Sequence, residues 1–265
     1  MMRTGFMIGV AVLVGCACST GGGPAATGEG AKPAVLAQPA SSEAQQRAKT
    51  HVELGSLYFL EGSSAIALEE ARIALAADPD YAPAFNLLGL THMYMNESKL
   101  AEENFQKALR LAPGDPEISN NYGWFLCQNG REKQAIPYFL AAAKNPLYTG
   151  PTKAYTNAGI CSVRLKDDKA AEDFLLTAVQ LQPANTLAQY WLAEIAFRQG
   201  RYPVAKQWIS DIDRLIEPSA EVLWLALRVE RKLGNREAET RHATQLRRRY
   251  PGSSEFRLLN QGQYE

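Results

Sequence analysis

Leu13 to Thr20 reads LVGCACST, with Cys16 and Cys18 placed directly after an apolar run. A thiolate is a metal ligand, a disulfide partner and a strong nucleophile, so three chemistries compete at this pair: a metal clip, a disulfide, or covalent alteration of the chain itself. A metal clip needs two further ligands, and the sequence has no second close Cys pair and no HxxxH spacing. The other chemistry-bearing residues are dispersed. His51, His92 and His242 stand far apart, and Asp167-Asp168 falls at a turn signal, where solubility accounts for it. There is neither a phosphate-cradling glycine loop nor a nucleophile elbow. The expectation is a protein that is not an enzyme and needs no metal or cofactor.

The segment that positions Cys16 is Met1 to Gly15 (MMRTGFMIGVAVLVG). It has one charge, Arg3, followed by an uncharged run from Gly5 to Gly15. That run is shorter than the about 20 residues needed to cross a ~30 Å hydrocarbon layer, so residues 1–15 read as a secretory signal. Leu13-Val14-Gly15-Cys16 resembles the lipobox of bacterial lipoproteins. The resemblance implies diacylglyceryl transfer to the Cys16 sulfur, cleavage after Gly15 and acylation of the new amine. Cys18 fits the box less well, because the box read back from it contains Cys16. An ordinary signal peptide with incidental cysteines is the alternative. Each buried acyl methylene contributes about 0.8 kcal/mol and one chain anchors only marginally, so a triacylated cysteine holds its protein on a membrane stably. Ala17 follows Cys16, in place of the Asp that lipoprotein sorting associates with the inner membrane. By resemblance the destination is the outer membrane, with the folded body in the periplasm.

Residues 16–42 are rich in Gly, Ala, Pro and Ser with few large apolar side chains, the composition of a flexible tether. The 26 residues after Cys16 reach roughly 28 Å as a random coil. The remainder, 43–265, carries the apolar residues of a folding domain. Lys plus Arg and Asp plus Glu both number 28, so the summed field gives no reason to expect nucleic acid as a partner.

A period of 34 residues runs through this domain. Leu54-Gly55, Ala67, Ala74 and Pro79 recur as Leu88-Gly89, Ala101, Ala108 and Pro113, and again as Tyr122-Gly123, Ala135, Ala142 and Pro146. After a two-residue excess around Tyr148 to Pro151 come Ala158-Gly159, Ala171, Ala178 and Pro183. The pattern resembles the tetratricopeptide repeat, in which each unit is a pair of antiparallel helices: small residues let two backbones approach, large apolar residues fill between them, and proline ends the second helix. It predicts an all-α, right-handed superhelix of about six units, at 48–81, 82–115, 116–147, 152–185, 186–219 and 220–253. That gives twelve helices, no strand, an elongated monomer, and 255–265 as a cap. The fifth and sixth units read as degraded: the fifth keeps Leu192-Ala193 and Ala205 with a shifted Pro218, and in the sixth Leu227 and Glu239 stand where small residues belong.

By the same resemblance, the first helix of each unit lines a concave face. The inward places hold Phe59 and Leu60; Leu90, Met93 and Tyr94; Trp124 and Cys127; Ile160 and Val163; then Tyr190, Phe197 and Trp224. An apolar groove of this kind suits an extended or helical segment of another protein; the alternative is that these side chains pack on one another. Cys127 and Cys161 fall on neighbouring first helices. Two separately buried thiols are expected, with a disulfide the alternative if the alpha carbons come within about 7 Å.

Asn120 to Leu126 (NNYGWFL), the insert Asn145-Pro146-Leu147-Tyr148 and the ending Gln245 to Ser253 (QLRRRYPGS), together with the lipobox and tether, resemble the PilF/PilW lipoproteins of type IV pilus biogenesis. The resemblance covers the whole chain. It implies a pilotin, which helps the outer-membrane secretin reach its membrane and assemble, with the secretin as partner and Phe59, Leu60, Leu90, Met93, Tyr94, Trp124, Ile160 and Val163 as candidate groove residues. A tetratricopeptide lipoprotein serving a peptidoglycan synthase or a barrel-insertion complex is the competing reading.

Overall fold

A computed structural model describes residues 42–264. The signal sequence, Cys16 and the tether up to residue 41 lie outside the described residues. The described part is a stack of helical hairpins: α1 (Glu43–Leu60) with α2 (Ser64–Ala77), α3 (Ala82–Tyr94) with α4 (Ser98–Leu111), α5 (Pro116–Gln128) with α6 (Glu132–Lys144). Then come α7 (Pro151–Arg164) with α8 (Asp168–Leu181), α9 (Thr186–Arg198) with α10 (Tyr202–Leu215), and α11 (Ala220–Lys232) with α12 (Arg236–Arg249). A thirteenth helix, α13 (Ser254–Gln261), closes the stack against α11 and α12. Among the described residues there is no strand, and no helix is long and apolar enough to cross a membrane.

Each hairpin is punctuated by its own sequence. The Ser42 hydroxyl accepts the Gln45 backbone N–H at 3.1 Å while the Gln45 side chain accepts the Ser42 N–H at 3.2 Å, satisfying two donors at the start of α1. Asp115 accepts the Ile118 N–H at 2.9 Å, and Pro116 opens α5, where its missing N–H costs nothing. The turn inside each hairpin passes through one left-handed residue: Gly62, Asn96, Gly130, Lys166, Gly200 and Gly234. Four are glycine, which has no Cβ to clash there, and Asn tolerates the region; Lys166, at φ 60°, has neither excuse. Their spacing is 34 everywhere except between 130 and 166, where the two extra residues enter. Tyr148, from that insert, is buried against Ala142 and Ala154. Burial and the neighbouring Glu117 carboxylate push its phenol above the usual tyrosine range.

First helices contact the first helices of the next hairpin (α1 with α3, α3 with α5, α5 with α7, α7 with α9, α9 with α11), so they form the inner surface of the superhelix. Within each of the first four hairpins the helices cross at a glycine. A Cβ on Gly89 would meet ring carbons of Phe105 at 2.8 Å, and one on Gly123 would meet Phe139 at 2.9 Å.

The sixth hairpin keeps the fold although its sequence departs from the repeat. In hairpins two to four a glycine faces Phe105, Phe139 or Leu175 sixteen positions later; in the sixth, Leu227 has Ala243 at that offset. Leu227 is 0% exposed in a cluster with Leu223, Leu246 and Ala243. Large and small have exchanged helices, and the volume is conserved. Glu239, the other misfit, stays near the surface and pairs with Arg231 at 2.8 Å.

Cys127 and Cys161 form a disulfide, so the expectation of two separate buried thiols is corrected. They lie 34 residues apart on α5 and α7, and stacking brings their alpha carbons to 5.9 Å, inside the span a bridge requires. Both are fully buried beside Phe125, Leu126 and Phe139.

Candidate partner-binding groove

On the inner surface, the end of α1, the second half of α3, α5 from Glu117 to Trp124 and the start of α7 enclose an open groove of about 430 Å³, its apolar part drawn from the first three hairpins. Phe59, Leu60, Leu90, Met93 and Trp124 line it, with Leu87 behind them. Leu60 is 79% exposed. Tyr94 stands outside the lining; exposed, it meets Phe59 edge-on with ring centroids 6.0 Å apart. Trp124 is half-buried under the Arg164 guanidinium, 5.7 Å from its ring centre. Arg164 is itself fixed by donating to the Cys127 carbonyl and the Gln128 side-chain oxygen, each at 3.1 Å.

Besides Tyr94, two further expected groove residues are not in the groove. Ile160 is 6% and Val163 is 8% exposed. Val163 packs with Leu175, Leu192 and Ile195, because α9 stacks on α7 and covers it. Further along, Phe197 is covered by Arg228, and Trp224 by the ring of Tyr264. The apolar inward places are therefore open at Phe59, Leu60, Leu90, Met93 and Trp124, and covered at Val163, Phe197 and Trp224.

The far wall of the groove is polar, and sequence reasoning missed its role. Asn157 donates its amide to Asn120 at 3.0 Å, Asn120 donates to Asn121 at 3.4 Å, and Asn121 donates to Asn86 at 3.2 Å. This amide ladder crosses α7, α5 and α3. Beside it, Lys153 pairs with Glu117 at 2.7 Å. The recurrence of Asn86, Asn120 and Asn157 at near-repeat spacing on first helices was the available signal. An amide offers donors and an acceptor at a fixed place, so the groove presents an apolar end and an end able to hydrogen-bond a backbone.

Comparison with known proteins agrees with this architecture. The tetratricopeptide repeat family matches residues 86–148 and 154–220. The type IV pilus assembly protein PilF of Pseudomonas aeruginosa strain PAO1 is 27% identical over 206 residues, 78% of this chain and 82% of that protein. The crystal structure of PilW, a widely conserved type IV pilus biogenesis factor, superposes with a TM-score of 0.76 at 28% identity. It covers 81% of this chain and 99% of that one. The structure of Pseudomonas aeruginosa PilF superposes equally well, at 0.76, with 25% identity over 84% of this chain and 100% of the other. The chain is a tetratricopeptide-repeat protein, similar over most of its length to the type IV pilus factors PilF and PilW. Tetratricopeptide repeats are protein-interaction modules, which suits a chain with an open apolar concavity on the inner face of its first hairpins.

Proposed function

We propose that this chain is a pilotin of the type IV pilus machine. Acyl chains on Cys16 anchor it to the outer membrane with the repeats in the periplasm, and the groove of hairpins one to three holds a segment of the secretin subunit. The lipid anchor then carries the pair to the membrane where the ring assembles. It works as a monomer and by binding, without catalysing a reaction. The similarity to a pilus assembly protein and a pilus biogenesis factor across most of both chains supports a role in the same process. The observation that carries the binding role is the convergence of Phe59, Leu60, Leu90, Met93 and Trp124, from three hairpins, on one open concavity. Large apolar side chains left in a concave surface mark an interaction site, and aromatic anchors dominate such interfaces.

The test is to follow secretin multimers in outer-membrane fractions from cells carrying Cys16→Ser or Trp124→Ala. The reading expects Cys16→Ser to release the protein from the membrane and both variants to deplete the multimers. Normal multimers in both variants sink it.

A further inference from the structure

The sixth hairpin has a second, different site on the same inner face. Trp224, Arg228, Arg231 and Lys232 repeat along α11 the spacing of Asn86, Leu90, Met93 and Tyr94 along α3, so they take the inward places of their hairpin. Here the protein's own chain lies on them. Gly262, left-handed at φ 66°, turns the backbone after α13 and brings Gln263 and Tyr264 back onto α11. The Tyr264 ring stacks on Trp224 with centroids 5.7 Å apart and planes at 21°. The Arg231 guanidinium also lies over the Tyr264 ring, 3.9 Å from its centre, and Arg228 Nε donates to the Tyr264 carbonyl at 3.1 Å. Arg228 is held in place by Phe197, 4.2 Å below, and by Glu194 at 3.5 Å.

We propose that this is a recognition site for an acidic segment carrying a tyrosine, and that Tyr264 is its resident, displaceable occupant. Each contact of Tyr264 reads a different feature of such a segment. The slot formed by Trp224 and Arg231 takes a flat aromatic ring, combining stacking with a cation over its face. Arg228 reads a backbone carbonyl and sets the register. Arg231 and Lys232 border an open concavity of about 730 Å³ beside the ring, far more room than Gln263 and Tyr264 fill. Arg231 is offset by Glu239, but Lys232 makes no ion pair among the described residues, so the rim keeps a positive charge for acidic flanks. The segment that carries the occupant is held only by partly buried side chains: Phe256, Leu258 and Leu259 pack against the α11 cluster, α13 contributes no fully buried residue, and Gln263 is exposed. The site does not depend on which partner fills the first groove.

An intramolecular occupant lowers the apparent affinity for an outside ligand by the fraction of time the site is free, and that sets the experiment. A fluorescent peptide Glu-Asp-Tyr-Glu-Asp is titrated into the full chain and into Tyr264→Ala. The variant should bind at least about tenfold more tightly. Arg231→Glu added to it should return binding to background, and a peptide with Ser in place of Tyr should bind neither protein. Saturating tyrosine peptide should also speed hydrogen exchange at the Gln263 amide, which donates to the Leu258 carbonyl at 3.1 Å, in the unaltered chain. Equal affinity with and without Tyr264, indifference to Arg231→Glu, binding of the serine peptide, or unchanged exchange at that amide would each overturn the proposal.

Discussion

The first three hairpins and the last two use the same repeat places for opposite ends. Phe59, Leu60, Met93 and Trp124 face an open concavity; Phe197 and Trp224, set on equivalent first helices, are shut in under Arg228 and Tyr264. The repeat therefore dictates which way a side chain points, and what lies over it decides whether it becomes core or surface. Between the two regions sits the fourth hairpin, where Ile160 and Val163 are already buried. The Cys127–Cys161 bridge ties it to the third.

Breaking that joint gives the largest expected effect. A cross-link closing a 34-residue separation removes denatured-state entropy worth about 4 kcal/mol. Denaturant melts with and without reductant should differ by that order. A shift below about 1 kcal/mol would mean the stack holds its two halves together without the bridge.

Leucine truncation compares the regions directly. Leu227→Ala, in the filled region, should cost about 3 kcal/mol, since a fully buried leucine leaves a cavity. Leu60→Ala, in the open region, should change stability by less than about 0.5 kcal/mol because the side chain is 79% exposed. Equal losses would erase the distinction between open and filled faces.

A smaller effect sharpens the comparison of turns. Lys166 occupies a left-handed place that four of its five counterparts give to glycine, so Lys166→Gly should stabilise by about 1 kcal/mol, and Asn96→Gly by less. Thermal melts of the two variants check the order.

The smallest effect concerns acid. Burial holds the His242 pKa below its ordinary value, with Arg241 and Lys206 pushing the same way and Glu230 opposing them. As pH falls below about 6.5 the unfolded chain takes up a proton that the folded chain resists. Stability is thus lost on acidification, and His242→Asn should flatten the slope of melting temperature between about pH 6.5 and 5.

How much of this was legible beforehand follows from what each feature depends on. The hairpins and their turns come from residues close in sequence, such as Gly89 against Phe105 or Asn129-Gly130 at a turn, and the 34-residue period exposes them. The apolar groove wall was legible because Phe59, Leu60, Leu90, Met93 and Trp124 occupy known inward places. What the period hides is mutual coverage. Val163 reads like Met93 until α9 is laid over it, and Trp224 reads as open until Tyr264 turns back onto it. Leu227 looks like a fault unless it is paired with Ala243, a compensation between two helices. The amide ladder likewise needs α3, α5 and α7 side by side before Asn86, Asn120, Asn121 and Asn157 become one object.

The central claim is that the open concavity of the first three hairpins binds the pilus partner. It is tested most directly by measuring the affinity of Leu60→Asp for the periplasmic part of the secretin alongside its thermal melt. Leu60 lies in the groove but outside the core, so the account predicts an unchanged melt and an affinity lowered by at least about tenfold, the 1.4 kcal/mol expected from a charge set into an apolar contact. An unchanged melt with undiminished affinity would contradict it.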